Sequence, residues 1–361
     1  MRFTLAIAAL GMVLSSLTGT ARAVEPEFIL KFHHMLPPMS GAHRDFIAPW
    51  AKKIEKESGG RIQVDIFPAM QLGGKPPQLF DQARKGVVDL TWTVGGYTRG
   101  RFPSAEVFEL PFMPANAEAT SMALQEYAEQ EMQSELKDVH LLAMHTHAPG
   151  TLHSRDKPIH SARDLKSVTL RAPNKRMAEA MSGFGVNSVF MPVPQMPSAL
   201  SKGILDATML PYEVVAPLKI HQLVKYHTGI PGERGLYTQF FLFVMNKKSY
   251  NRLPDDLKKV IDNNSGVELA GFIGRQFDNN ERVGYEVAKA QGNEIYELPK
   301  REVLRWKREM APVSQEWIAD MNKKGRDGQA MYDKANSLIR KYEAQVAARP
   351  TAQSPAVVKA D

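Results

Sequence analysis

Residues 28–67 read FILKFHHMLPPMSGAHRDFIAPWAKKIEKESGGRIQVDIF, and the order of elements in this stretch decides the fold class. Phe28 to Met35 mix β-prone and apolar residues and run into Pro37-Pro38, which predicts a strand stopped by a turn. Residues 42–57 set Phe46, Ile47, Trp50 and Ile54 on one stripe at helical spacing, with Gly59-Gly60 as the stop. Arg61 to Phe67 then alternates as a second strand. A helix between two strands predicts a crossover that lays the strands parallel.

The same rhythm continues outward. A helix is predicted over 78–85, a strand over 88–94, a loop through Gly95-Gly96 and Phe102-Pro103, a helix over 117–136 and a strand over 140–147. After Gly150 a second series begins, with strands over 168–171, 188–191 and 207–210 and helices over 175–181 and 195–202. Residues 236–246, LYTQFFLFVMN, predict one more deeply buried strand. From Asp255 the pattern is helical, broken over 291–299, and it ends in a tail from 346 expected to be unstructured. Strands alternating with helices predict α/β layers with mostly parallel pairing. A chain of 361 residues exceeds what one core usually serves, so two domains are expected with a ligand cleft between them.

Arg2, an apolar run from Leu5 to Leu17 and the A-x-A pattern Ala21-Arg22-Ala23 predict that residues 1–23 are a cleaved secretory signal. The run is shorter than the roughly 20 residues a membrane span needs. The chain has no Cys, which excludes disulfides, thiolate nucleophiles, Cys-ligated metals and acylation of a new N-terminus. A protein diffusing freely in the periplasm, as a monomer, is expected. Loss of Arg2 and Arg22 with the signal lowers the formal charge from +7 to +5. Basic residues are interleaved with acids, as in Lys52, Lys53, Glu55, Lys56 and Glu57, so they read as solvated helix faces and no nucleic-acid partner is expected.

Catalytic templates are missing. Gly73-Gly74-Lys75-Pro76 lacks the spacing and hydroxyl of a phosphate loop, Gly183-Phe184-Gly185 follows a helix and not a strand, and no G-x-S-x-G or H-E-x-x-H occurs. His145 and His147 would share one strand face, which two metal ligands require, yet no third ligand lies at a recognisable spacing. They are expected to end a strand near the cleft and to hydrogen-bond locally, with no metal and no cofactor. Leu170-Arg171-Ala172-Pro173 places a guanidinium at the carboxyl end of a predicted strand, where an α/β cleft opens. Its planar fork can hold a carboxylate through two charge-assisted bonds.

Residues 60–73, GRIQVDIFPAMQLG, resemble the signature of the periplasmic substrate-binding subunits of TRAP transporters, the DctP family. Further matches follow in family order: Gly86-Val87-Val88-Asp89, Leu110-Pro111-Phe112, Lys157-Pro158-Ile159, Asp164-Leu165-Lys166, Leu170-Arg171-Ala172-Pro173, Gly203-Ile204-Leu205-Asp206 and Leu253-Pro254. The resemblance spans about 28–340 and implies a two-domain flytrap with hinge-crossing segments and a long C-terminal helix. It implies domain I over 24–150 plus 235–279 and domain II over 151–234 plus 280–345. It also implies reversible, non-enzymatic capture of a small organic acid, with Arg171 on the carboxylate, and delivery to a small and a large membrane subunit.

This chain departs from the family pattern at the ligand. Many members read D-G-x-x-N-P with an Asn reaching the ligand, whereas here Asp206-Ala207-Thr208-Met209-Leu210-Pro211 puts Leu210 there and Met209 beside it. A second Arg of some members aligns near Thr151, with Arg155 four residues on as a substitute. Val94 and Val193 fall near lining positions, Trp92, Tyr97 and Tyr212 are candidate walls, and His34, Met35 and His147 should border the cleft. Sugar acids would bury unpaired hydroxyls in such a pocket, so an apolar or aromatic monocarboxylate is expected. The alternatives are a dicarboxylate or 2-oxo acid using Arg155, a sensor component with the same cleft, or an exported hydrolase or lyase using His145, His147 and Arg171.

Overall fold

The computed structural model describes residues 25–349. The expected signal lies outside them, as does the tail beyond Arg349. Within them the last helix, Gly328–Ala347, runs through Val346, so ordered structure continues past the expected start of the tail.

Eleven strands form two sheets among the described residues. The first holds β1 (Phe28–His34), β2 (Ile62–Phe67), β3 (Leu90–Val94), β4 (Val139–Thr146) and β10 (Phe240–Asn246), in the order β2-β1-β3-β10-β4. The second holds β5 (Thr151–Ser154), β6 (Thr169–Ala172), β7 (Asn187–Phe190), β8 (Ala207–Leu210), β9 (Tyr226–Gly229) and β11 (Glu294–Glu297), in the order β11-β9-β5-β8-β6-β7. The chain leaves the first sheet after Thr146, returns to it at Phe240, and leaves again along the helix Gly266–Ala290 towards β11. The α/β two-layered fold and long C-terminal helix agree with the sequence reading.

The β1-α-β2 unit forms as expected, with β1 parallel to both β2 and β3. β3 and β10 lie in the middle of their sheet and are buried on both faces, which explains their unbroken apolar runs. Pairing is more mixed than expected. β10 runs antiparallel to β3 and β4, and β5 runs antiparallel to β8 and β9, because each of these strands enters its sheet from a crossing segment. The sequence reading had no β5, β9 or β11. β5 and β9 face each other through His153 and His227, whose Nδ1 atoms lie 2.6 Å apart, so polar side chains fill core positions and hide the alternation.

Three boundaries also differ. The helix expected over 42–57 opens with a π-helical turn, Ala42–Ile47, before α-helix from Ala48. Pro49 carries no N–H to donate to Asp45, so the ladder is already open at that point. Met132 interrupts the helix expected over 117–136. The strand expected from Leu236 starts only at Phe240, since residues 236–239 make the crossing and Gly150 N–H donates to the Tyr237 carbonyl there.

The helix 266–290 spans both units and is fastened the same way to each. A Cβ at Gly274 would meet the Ala117 carbonyl oxygen at 2.4 Å, and one at Gly284 would meet that of Tyr212 at 1.9 Å, so both contacts need glycine. One turn along from Gly274, the Asp278 carboxyl accepts from the N–H groups of Ala117 and Glu118 at 2.8 and 3.0 Å. Glu281 accepts from those of Tyr212 and Glu213 at 3.1 and 2.9 Å. Two helix N-termini, one on each side of the cleft, are thus capped by carboxyl groups of one helix.

Candidate functional site

The carboxyl ends of β1, β3 and β8 and the last residues before the crossings converge on a space between the sheets. It is narrow, with a cavity volume of about 20 Å³, and is lined mainly by Met35, Leu36, Trp92, Val94, Leu210, Val214 and Phe241. Tyr97, His147, Val193, Pro211, Glu213 and Gln239 complete it. Ligands of open α/β sheets sit at this edge, where strand order allows loops from both units to meet.

Its aromatic wall is held rigidly. Phe241 stacks on Trp92 and His145 with centroids 4.9 and 4.8 Å away and rings within 6° of parallel. The Trp92 Nε1–H donates to His145 Nε2 at 2.7 Å, which leaves the His145 proton on Nδ1, 3.2 Å from the Thr146 carbonyl. Burial pushes the His145 pKa down to about 3, so its ring is neutral. His147 is likewise neutral, with its pKa pushed down to about 4 chiefly by burial. Its Nε2 accepts from Gln239 N–H at 3.1 Å and its Nδ1 lies 2.5 Å from the Ala148 carbonyl. Both imidazoles spend both nitrogens on the protein.

Arg171, on β6, is fully buried. Its Nε donates to the Met191 carbonyl at 3.1 Å and its Nη1 to the Met209 carbonyl at 2.9 Å, whereas Nη2 is buried with no partner. The guanidinium does not itself form the cavity wall. Its anchors stand beside Val193 and Leu210, which do, and Tyr97 fills the same corner with its hydroxyl accepting from Val193 N–H at 2.9 Å. Burial raises the Tyr97 pKa in spite of the Arg171 charge nearby, so the phenol keeps its proton.

Of the residues expected at the site, Trp92, Leu210, Met35, Tyr97, His147 and Val193 line this space, and Arg171 adjoins it. Four stand elsewhere. Arg155 is turned outward, with Nε 2.6 Å from Asp156 and Nη1 on the Leu200 carbonyl at 3.3 Å. The His34 ring is taken up by His43, 2.9 Å away, and by Leu36 N–H. Met209 offers Arg171 its carbonyl while its side chain joins the core, because alternate residues of a strand face opposite ways. Tyr212 packs its ring on His153, His227 and Tyr285. Gln239, Phe241 and Glu213 were not singled out from sequence. Phe241 carried a signal in the aromatic density of its strand, whereas nothing in the sequence around Glu213 marked it.

With this geometry in hand, comparison with known proteins is informative. Residues 32–320 match the DctP family model, bacterial extracellular solute-binding protein family 7. A TRAP solute-binding protein from Rhodoferax ferrireducens T118, solved with copurified benzoate, is 46% identical with a TM-score of 0.87, over 89% of this chain and 99% of that one. A marine-metagenome TRAP protein specific for aromatic acid ligands, solved with 3-hydroxybenzoate, is also 46% identical, with a TM-score of 0.86 over 88% of this chain and 100% of its own. A third, from Bordetella bronchiseptica with bound (R)- and (S)-mandelate, is 25% identical with a TM-score of 0.81, over 87% and 99%. The protein therefore belongs to the DctP family of extracytoplasmic TRAP solute-binding proteins, binding components of transport systems and not enzymes.

Proposed function

We propose that this protein captures an aromatic monocarboxylate in the periplasm and hands it to the small and large membrane subunits of a TRAP transporter. The observation that carries this reading is Arg171, a fully buried guanidinium with one nitrogen unpartnered and no carboxylate paired to it among the described residues. An uncompensated buried charge costs several kcal/mol, and a ligand carboxylate drawn to Nη2 removes that cost. The carboxylate would sit between Arg171 and Tyr97, and the ring among Trp92, Val94, Leu210 and Phe241. Leu210, where many relatives carry Asn, gives a hydroxylated chain no partner.

A dicarboxylate is disfavoured because Arg155 is committed to Asp156, so a second carboxylate would find no cation on the wall. The bound benzoate, 3-hydroxybenzoate and mandelate of the relatives above support the same ligand class. We place domain I at 24–150 plus 235–279 and domain II at 151–234 plus 280–345, with closure about the crossings and the helix 266–290. Removal of residues 1–23 on export completes the reading.

A thermal-shift screen of the mature protein against aromatic and aliphatic monocarboxylates, dicarboxylates, 2-oxo acids and sugar acids tests it. Ligand binding only the folded state raises the melting temperature by mass action. Shifts confined to aromatic or apolar monocarboxylates are expected. Shifts confined to sugar acids or dicarboxylates would overturn the account of the pocket.

A further inference from the structure

A second and wider cavity, of about 430 Å³, opens between the two units and shares no lining residue with the narrow one beside Arg171. The first unit contributes Gly96, Phe102, Glu109 and Phe240 to its wall, and the second contributes Asn174 and Phe190. Two polar side chains of this wall are buried and incompletely bonded. Asn174, 2% exposed, follows β6 and caps the helix Lys175–Ser182, its Oδ1 accepting from Met177 N–H at 2.8 Å. That cap fixes which way the amide faces, and Nδ2 is left buried with no partner. Glu109, 1% exposed, ends the turn Ala105–Glu109. Its Oε1 accepts from Phe240 N–H at a long 3.4 Å, and its Oε2 has no hydrogen bond among the described residues. Both side chains flank Gly96, where a Cβ would meet Glu109 Oε1 at 3.4 Å and Asn174 Cβ at 3.7 Å. A donor and an acceptor thus stand on one patch of wall without a hydrogen bond between them.

The neighbouring charges are answered. Glu106 lies 2.8 Å from Arg176, Lys175 lies 3.4 Å from Glu179, and the Arg99 guanidinium covers the Phe190 ring at 4.4 Å. A cation entering the cavity would meet Arg99 and Lys175 in its lining, and an anion would meet Glu106 and Glu109, so a net charge of either sign is opposed. A neutral head group that both accepts and donates satisfies Asn174 and Glu109 together. A carboxyl keeps an acceptor oxygen in either protonation state, so this pairing does not depend on the charge of Glu109. Phe102 and Phe240, edge to face at 6.2 Å, and Phe190 supply surfaces for an apolar body.

We propose that this cavity is a second ligand site, taking a small neutral molecule with a carboxamide head on an aromatic body. The carboxamide oxygen accepts from Asn174 Nδ2, and its N–H donates to the Glu109 carboxyl. No residue lining the cavity beside Arg171 takes part, so the site goes beyond the function proposed above.

The test is calorimetric titration of benzamide, and of its cationic analogue benzamidine, into the mature protein with and without saturating benzoate, repeated on Asn174→Ser, with circular dichroism as the fold control. Serine keeps the helix cap and removes the amide donor. The wild type is expected to bind one benzamide per chain, about tenfold tighter than benzamidine, whether or not benzoate is present. In Asn174→Ser benzamide should weaken about tenfold, while benzoate affinity stays within about twofold. Displacement of benzamide by benzoate would put it in the first cavity and overturn the proposal. So would a preference for benzamidine, an unchanged benzamide affinity in Asn174→Ser, or no saturation below about 10 mM. Should Asn174→Ser not fold, Asn174→Asp, which also caps and lacks the donor, takes its place; should neither fold, the wild-type ratio of benzamide to benzamidine decides, a value near one being the overturning result. Benzamide bound by a protein that takes no benzoate supports this site and sinks only the functional reading above.

Discussion

Two buried arginines stand five residues apart on the same unit, and their surroundings are opposite. Arg176, 3% exposed on the helix Lys175–Ser182, meets three carboxylates: Glu106 at 2.8 Å, Glu179 at 3.2 Å and Asp320 at 3.1 Å. Arg171, deeper still, meets two carbonyls and leaves Nη2 empty. A charge answered by the protein belongs to the architecture, here tying the turn Ala105–Glu109 to the helix Lys300–Lys323. A charge left unanswered is a site. Burial alone therefore does not distinguish a structural arginine from a binding one; the inventory of its partners does.

The largest test of the contrast is stability without ligand. Arg176→Ala strands Glu106 and Asp320 and should cost about 3–5 kcal/mol in chemical denaturation. Arg171→Ala removes an uncompensated charge along with two carbonyl bonds, and the net change should stay below about 1.5 kcal/mol. Equal losses in the two variants would erase the distinction.

A smaller effect is expected at Leu210, in the cavity wall beside the carbonyl that anchors Arg171. Leu210→Asn buries an amide in an apolar wall and should weaken benzoate binding by about 1–3 kcal/mol while improving the relative standing of hydroxylated aliphatic acids. Competition calorimetry reads that ratio, and an unchanged ligand ranking would mean that Leu210 does not face the ligand.

The smallest test concerns carboxyls answered only by backbone N–H groups. Burial raises the Glu281 pKa to about 8 and that of Asp278 to about 6. Groups raised in the folded state contribute stability that is complete below their unfolded values near 4 and is lost as pH rises through the folded ones. Glu281→Gln should therefore narrow the fall in melting temperature between pH 6 and 9 by a few degrees. The histidines act in the reverse direction. His145, His147 and His34 have pKa values lowered to about 3, 4 and 3, mainly by burial, so stability is lost as pH falls from about 6.5 towards these values. Tm profiles that stay level on both sides of neutrality would contradict the neutral states assigned here.

The sequence was most readable where side-chain period and burial agree. The β1-α-β2 unit, the central strands β3 and β10 and the position of Arg171 at the end of β6 all follow from local patterns. Legibility failed where core positions are polar, as at His153 and His227 in β5 and β9, because periodicity arguments count only apolar residues. It failed again where direction matters more than position. Arg155 lies close to the site in sequence, yet its neighbour Asp156 draws the guanidinium away, and Met209 turns its side chain from the space its carbonyl adjoins. Glu213 stayed hidden because only the fold brings its strand end and the crossing segments together.

The central claim is that Arg171 is empty because it awaits a carboxylate. Calorimetric titration of benzoate into the mature protein and into its Arg171→Ala variant tests this most directly. The account predicts one site per chain in the wild type and a loss of about 2–5 kcal/mol in the variant. Equal affinity in the two proteins would contradict it.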